Sequence, residues 1–239
     1  MKLLKIGLVG LAALALSSSL TQSVAQGRFD FSGTYVVEGK NPDTSAYKGM
    51  MSIVPYGDGY RIKQTYGADS FEGIGNDVAD YLAASFVVAD QPQVLIYQIT
   101  AANTLTGYWQ DYKNKTEGSE TAMHSNARAF GRIPVAAVDN TWDYKGNYRI
   151  TGTNTDGSSY TGSMILSAYG DGYRASFSSG GTVWRGIGSY IGNYLALAWN
   201  FNGVASVTIY AGDPNTGTLS GYWQNYDEPK EGTETATRR

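Results

Sequence analysis

The chain of 239 residues contains no cysteine and a single histidine, His124. Without cysteine it has no disulfide, no thiol nucleophile and no thiolate metal site, so each folding unit depends on packing alone. One histidine excludes a multi-histidine zinc or iron site, and any Ser-His-Asp triad would need that same residue. The sequence therefore predicts no metal, no cofactor and no enzymatic activity. We expect His124 to be exposed and uninvolved.

Charged residues and helical periodicity are also scarce. Only 16% of the residues are charged, and acidic residues outnumber basic ones by 21 to 18. This balance argues against nucleic acid and anionic lipid as partners. The chain is rich instead in glycine and tyrosine, with 30 and 19 residues, which is typical of many short strands joined by tight turns.

The first 25 residues have the pattern of a signal peptide. Lys2 and Lys5 precede an apolar segment at 6–16, and the small residues at 23–25 suit cleavage after Ala25. The apolar segment is too short to span a bilayer, so no transmembrane segment is expected after cleavage. We predict a secreted or periplasmic protein.

The rest of the chain is an internal duplication. Matching segments recur in the same order in both halves: 56–61 with 169–174, 107–110 with 221–224, and 117–122 with 231–236. A repeat this long predicts complete domains, since solenoid and propeller units are much shorter. The predicted organisation is a signal peptide at 1–25, module 1 at 28–124, a linker at 125–141 and module 2 at 142–239.

Each module alternates apolar and polar residues in short segments separated by turn signals such as Gly57-Asp58-Gly59. About eight strands per module follow from this pattern. Sequential hairpins form a meander, and a meander of this length leaves exposed edges unless it closes. We therefore predict an all-β fold of two tandem antiparallel up-and-down barrels.

Comparison of the two copies predicts which side chains face each barrel interior. Leu95 aligns with Thr208, which suggests that this position is not core and that its neighbours point inward, namely Val94, Ile96, Val207 and Ile209. By the same alternation, Thr106, Gln110, Ser220 and Gln224 are expected on the solvent face.

A ligand in the barrel lumen would contact inward-facing aromatic and acidic side chains. The lumen candidates are Trp109, Trp223, Phe86, Trp199, Glu120 and Glu234. The tryptophans could plug the barrel floor or form a cavity wall. The glutamates could anchor a ligand, or could make a structural contact at the barrel mouth, with Arg61 or Arg174 as one option.

Several short motifs carry a family resemblance. They are the Gly-x-Trp strands, the Asn-x-Asp-x-Ser-x-Tyr-x-Gly segments at 41–49 and 154–162, and the Gly-x-Glu-x-Ala endings at 118–122 and 232–236. With these motifs the chain resembles small exported proteobacterial proteins labelled fibronectin-binding, and its strand pattern is similar to lipocalin and avidin barrels. The resemblance implies a β-barrel module and an adhesive function.

Four functions are compatible with the sequence. The first is a tandem adhesin that binds an extracellular-matrix or envelope protein through exposed Tyr108 and Tyr222. The second is a carrier of a small hydrophobic ligand in the lumen. The others are one outer-membrane barrel made from all strands together, and a barrel-type cyclase or isomerase that uses Glu120, Tyr108 and Arg61.

Overall fold

The computed structural model of the chain describes residues 29–130 and 142–239. The predicted signal peptide and most of the predicted linker lie outside these ranges. Within them the chain forms sixteen β-strands. None of the described residues belongs to a helix with the length and apolar character that a membrane crossing requires.

Each module is a closed antiparallel barrel in which every strand pairs with its neighbours in sequence and the last strand pairs with the first. Barrel 1 consists of β1 (Gly33–Lys40), β2 (Ala46–Tyr56), β3 (Gly59–Tyr66), β4 (Asp69–Val78), β5 (Tyr81–Val88), β6 (Gln91–Ala101), β7 (Thr104–Asp111) and β8 (Gly118–His124). Barrel 2 consists of β9 (Gly146–Thr153), β10 (Ser159–Tyr169), β11 (Gly172–Ser179), β12 (Thr182–Ile191), β13 (Tyr194–Phe201), β14 (Val204–Asp213), β15 (Thr218–Asn225) and β16 (Gly232–Arg238).

The predicted fold of two up-and-down barrels is therefore confirmed. A single barrel made from all the strands together is wrong, because β8 closes on β1 and β16 closes on β9. Closure leaves no unpaired strand edge in either module.

Buried aromatic side chains close one end of barrel 1. Tyr35 donates a hydrogen bond to the Phe31 carbonyl at 2.7 Å, and Phe130, from the predicted linker, packs on Phe31. The expectation of an exposed, uninvolved His124 is wrong. Its ring lies edge-on to Tyr35 at 4.7 Å, and its Nε2 is 3.1 Å from the Ser32 carbonyl. The histidine thus belongs to the closed end.

The two barrels pack against each other through the outer faces of β4–β7 and β12–β15. A separate apolar cluster fills this interface, and it includes the four side chains expected in the lumens, Val94, Ile96, Val207 and Ile209. That expectation is wrong. The opposite barrel covers the outer face of these strands, so apolar side chains occupy the outer face as well as the inner one. Leu95 and Thr208 are the side chains that point inward.

Two glutamines expected on the solvent face are also buried in this interface. Gln110 donates to the Tyr169 carbonyl at 3.0 Å, and Gln224 donates to the Tyr56 carbonyl at 3.2 Å. Both side chains point away from their own barrel, as the alternation predicted, but the opposite module excludes water from them. Of the other two residues expected on this face, Thr106 is half-buried and Ser220 is exposed.

Pairs of equivalent residues make equivalent contacts across the interface. Arg61 lies over the rings of Tyr56 and Tyr226, at 4.2 and 4.4 Å, and Arg174 lies over Tyr169 at 3.8 Å. Cation–π contacts of this kind hold each arginine flat against the surface of the two modules. The modules are therefore related by an approximate two-fold axis.

The axis passes between β5 and β13, which face each other across the interface and run in the same direction. Tyr81 at the start of β5 stacks on Tyr194 at the start of β13, with ring centroids 4.0 Å apart. Beyond the other end of β5, the Asp90 carbonyl accepts a hydrogen bond from Asn200 at 2.9 Å. The interface thus brings the open ends of the two barrels toward a common groove.

Candidate functional site

Barrel 2 is closed at the equivalent end, where Tyr148 donates a hydrogen bond to the Tyr144 carbonyl at 2.7 Å. Each barrel contains a cavity that opens at the end opposite this aromatic closure. The cavity of module 1 has a volume of about 340 Å³ and that of module 2 about 450 Å³. The lining of cavity 1 includes Tyr47, Gln64, Tyr66, Phe71, Phe86, Leu95, Trp109 and Glu120. The lining of cavity 2 includes Tyr160, Phe177, Trp184, Trp199, Phe201, Thr208, Trp223, Asn225 and Glu234.

Glu120 projects from β8 into cavity 1, where four side chains donate hydrogen bonds to its carboxylate. Tyr47 and Tyr66 donate to Oε2 at 2.7 and 2.9 Å, while Gln64 donates to Oε1 at 3.0 Å. Tyr97 also donates to Oε1. Because an ionised carboxylate has about four acceptor positions, the donors within barrel 1 satisfy this group.

Glu234 occupies the equivalent place in cavity 2 but has fewer donors. Tyr160 donates to Oε2 at 2.5 Å, and Tyr210 donates to Oε1. Phe177 and Ser179 occupy the positions of Gln64 and Tyr66 in module 1, and neither of them donates to the carboxylate. The Ser179 hydroxyl instead donates to the Thr161 carbonyl at 2.9 Å.

The two arginines considered as partners of these glutamates do not reach them. Arg61 and Arg174 lie on the outer surface between the modules, whereas both carboxylates lie inside the barrels. The cyclase or isomerase hypothesis required Glu120, Tyr108 and Arg61 to act together. The barrel wall separates Glu120 from the other two, so the structure does not bring that constellation together.

Burial dominates the protonation of the two acids. Removal from water raises the pKa of Glu120 to about 7, although hydrogen bonds from Tyr47, Tyr66 and Gln64 act in the opposite direction. Burial likewise raises the pKa of Glu234. The pKa values of Tyr47, Tyr66, Tyr160 and Tyr210 are also raised, first by burial and then by the charge of the glutamate. These four tyrosines therefore remain hydroxyl donors over the whole ordinary pH range.

Each cavity has one tryptophan that lies flat against the barrel wall. Trp109 is paired in register with Gly118, and Trp223 with Gly232. A Cβ at either glycine would overlap the indole, so glycine is required for the ring to lie there. This explains the Gly-x-Glu spacing, which seats the tryptophan and aims the acid inward. Both tryptophans form cavity walls and not the floor.

A second glycine seats the tyrosine that reaches each acid. Gly39 is paired with Tyr47, and Gly152 with Tyr160. The phenol rings cross directly over these glycines, where any Cβ would collide with them. The glycines thus allow each hydroxyl to extend along the wall as far as the carboxylate.

The other lumen candidates, Phe86 and Trp199, occupy equivalent positions in the two cavities. Phe86 is fully buried, and the Trp199 indole N–H donates to Thr208 Oγ1 at 3.0 Å. This bond explains how Thr208 can point inward at the position where module 1 has Leu95. A polar residue is tolerated inside the barrel when an indole supplies its partner.

Cavity 2 has three tryptophans in its wall, Trp184, Trp199 and Trp223, where cavity 1 has Trp109. Trp184 stacks on Phe177 with ring centroids 5.5 Å apart, and Trp199 is parallel to Phe201 at 6.4 Å. Trp184 also contacts Phe201 edge-on at 5.3 Å. Module 2 therefore presents a set of mutually braced aromatic faces around its glutamate.

A groove between the modules lies beside both cavities. It shares Gln91 and Tyr112 with cavity 1, and Trp184 and Asn202 with cavity 2. The two openings therefore lie along one surface of the molecule.

The tyrosines separate into interior, interface and surface groups. Tyr108 and Tyr222, the surface-binding candidates, are 42% and 36% exposed. The glutamate donors are tyrosines that the sequence did not place in the lumen: Tyr47, Tyr66, Tyr97, Tyr160 and Tyr210. The signal for this role was weak, because the donors come from separate strands and only barrel closure brings them together.

The chain has no matching family model and no matching curated protein. The resemblance to proteins labelled fibronectin-binding therefore stays a prediction. Within the described ranges, no group of three or more His, Cys, Asp or Glu side chains could hold a metal ion.

Solved structures show distant similarity. An agglutinin of Burkholderia oklahomensis is 10% identical with a TM-score of 0.22, over 86% of this chain and 95% of the agglutinin. A double mutant of transferrin binding protein B from Haemophilus parasuis Hp5 is 9% identical with a TM-score of 0.27, over 83% and 55%. Intact Ap-TbpB is 6% identical with a TM-score of 0.26, over 86% and 76%. At these scores the function must be argued from the geometry of the site.

Proposed function

We propose that this is an exported, non-catalytic binding protein in which each barrel holds a small molecule with an aromatic or apolar body in its cavity. The observation that supports this most directly is the pair of open cavities, each lined by aromatic rings around one buried glutamate. Concave, largely apolar sites with a few convergent polar groups are typical of small-molecule binding.

The hydrogen bonds of Glu120 favour binding over catalysis in cavity 1. Glu120 and Glu234 accept hydrogen bonds from tyrosines whose raised pKa keeps them protonated. A general base needs a free acceptor directed at a substrate proton, and the Glu120 carboxylate is already surrounded by donors. In this proposal the aromatic walls supply most of the contact area, and the polar groups among them orient the bound molecule.

Adhesion through the outer surface is a second candidate, supported by the exposure of Tyr108 and Tyr222. The cavity is favoured because most other tyrosines, including Tyr47, Tyr66, Tyr81 and Tyr97, lie in the barrels or between them. Among the described residues, an adhesive surface would therefore have one exposed tyrosine per module.

The test compares lumen variants with matched surface variants. Small aromatic compounds are titrated into the purified protein by isothermal calorimetry, with wild type, Trp109→Ala plus Trp223→Ala, and Tyr108→Ser plus Tyr222→Ser. We expect saturable binding in wild type, loss in the tryptophan variant and no change in the tyrosine variant. Circular dichroism verifies that each variant is folded. Equal binding by a folded tryptophan variant would contradict the proposal.

A further inference from the structure

The acids of the two cavities differ in how completely the protein satisfies them. Four donors surround Glu120, and the structure gives Glu234 two. A carboxylate offers about four acceptor positions. About two positions on Glu234 therefore remain for a donor that enters cavity 2, at the places that Gln64 and Tyr66 occupy in module 1.

A second acceptor lines the same cavity. The Oδ1 atom of Asn225 is buried and has no hydrogen-bond partner among the described residues. Its counterpart in module 1, Asp111, instead accepts hydrogen bonds from the backbone N–H groups of Lys113 and Asn114. The same lining also contains one buried donor without a partner among the described residues, the Trp223 indole N–H. The open positions on Glu234 and Asn225 still outnumber this donor, so a ligand with several N–H groups would balance cavity 2.

Charge and aromatic lining point to the same ligand chemistry. Among the described residues, no lysine or arginine lines cavity 2 and Glu234 is its one acidic residue, whereas cavity 1 has Lys113 beside its two acids, Asp111 and Glu120. The faces of Trp184 and Trp199 lie beside this acid-containing space. Indole faces attract cations through their ring quadrupole, most strongly where water is excluded.

We propose that cavity 2 selects small molecules that carry a protonated primary amine on an aromatic or aliphatic body, with the amine donating to Glu234. Module 1 lacks this preference because its own side chains occupy the acceptor positions of Glu120. The inference rests on the proposed function, since it assumes that the cavities bind ligands. It adds that module 2 prefers amines.

The experiment uses three probes of similar shape and different charge: 2-phenylethylamine, 2-phenylethanol and 3-phenylpropionate. Calorimetry on the full mature chain should show one site per chain for the amine, with the alcohol and the acid binding at least about tenfold more weakly. A charge-assisted hydrogen bond accounts for a preference of that size.

Variants of module 2 assign the site. Glu234→Gln keeps the shape of the side chain and removes its charge, so it should lose the amine preference and retain the alcohol. Glu38→Gln, at an exposed glutamate, is the control for loss of a negative charge. The double variant Phe177→Gln, Ser179→Tyr supplies the donors of module 1 and should also abolish the preference.

A gain-of-function variant keeps the test decisive if those proteins fail to fold. Gln64→Phe with Tyr66→Ser removes two donors from Glu120, and the stoichiometry for the amine should rise from one site to two. An unchanged stoichiometry in a folded protein would overturn the explanation based on acceptor positions.

The outcomes separate the inference from the proposed function. If the alcohol or the acid binds as tightly as the amine, the cavities bind ligands but the amine preference is wrong. Loss of the amine preference in Glu120→Gln in place of Glu234→Gln would also overturn the assignment to module 2. If none of the three probes binds either module, both proposals fail.

Discussion

The two modules are most alike where they contact each other. Five pairs of equivalent residues in the interface are identical: Tyr56/Tyr169, Asp58/Asp171, Arg61/Arg174, Gln110/Gln224 and Tyr112/Tyr226. Each member faces the opposite module, so a change on one side has to suit a fixed surface on the other. The aspartates show this directly, since each accepts a backbone N–H from a loop of the other module, at Glu231 and Glu117, at 3.1 Å.

The cavities have diverged to a much greater extent. Both keep the same anchors, Tyr47/Tyr160, Tyr97/Tyr210, Trp109/Trp223 and Glu120/Glu234. Their walls differ at Gln64/Phe177, Tyr66/Ser179, Phe71/Trp184, Val88/Phe201 and Leu95/Thr208. A change in a cavity wall alters the space available to a ligand without disturbing the opposite module. The duplication has therefore kept one scaffold and one interface while it produced two different sites.

The largest expected effect tests whether the interface is symmetric. Val94 and Val207 are fully buried between the barrels at equivalent positions. Val94→Asp and Val207→Asp each place an unpaired charge there, and each should lower the free energy of unfolding by roughly 3–5 kcal/mol. Urea unfolding monitored by circular dichroism measures this. If only one of the two variants lowers the free energy of unfolding, the two modules do not contribute equivalent surfaces to the interface.

The next prediction concerns the protonation of the cavity acids. The pKa of Glu120 is about 7 in the folded protein, against an ordinary value of 4.5, because of burial. Between these two pH values the folded state retains a proton that the unfolded state has lost, so stability falls as the pH rises from about 4.5 to about 7. At about 1.4 kcal/mol per pKa unit, the loss attributable to this group is roughly 2–3 kcal/mol.

Glu120→Gln removes that contribution, so its stability should fall less over the same pH range. Glu234→Gln should flatten the pH dependence as well, since burial also raises the pKa of Glu234. Denaturation at several pH values gives both slopes. Parallel curves for wild type and Glu120→Gln would show that the fold does not raise the pKa of this acid.

The fold could be derived from the sequence because turn chemistry and alternation act locally. The same alternation aimed Glu120 inward, since Ser119 and Thr121 on either side suit the outer face. It failed for Val94 and Ile96, because strands covered by a second barrel are apolar on both faces and give no alternating signal. The tyrosine donors could not be assigned either, since their convergence depends on barrel closure and not on spacing along the chain.

A smaller effect tests the tryptophan seats of the two modules. Gly118 and Gly232 lie directly beneath Trp109 and Trp223. Alanine at either glycine would displace the indole, and overpacking of this kind costs roughly 1–3 kcal/mol. Gly118→Ala and Gly232→Ala should therefore have similar costs in thermal unfolding. A much cheaper Gly232→Ala would indicate that the larger cavity 2 lets its tryptophan move aside.

The smallest expected effect is at the outer surface, where the modules again resemble each other. Tyr108 and Tyr222 are exposed, so Tyr108→Ser and Tyr222→Ser should change the free energy of unfolding by no more than about 0.5 kcal/mol. Because the fold is unaffected, these variants isolate surface binding from lumen binding. Immobilised fibronectin serves as the matrix probe in a binding assay, with wild type as reference. If wild type attaches and both variants lose attachment while they still bind cavity ligands, the exposed tyrosines are the working surface. If attachment is absent or unchanged, the difference between the two cavities remains the feature that function depends on.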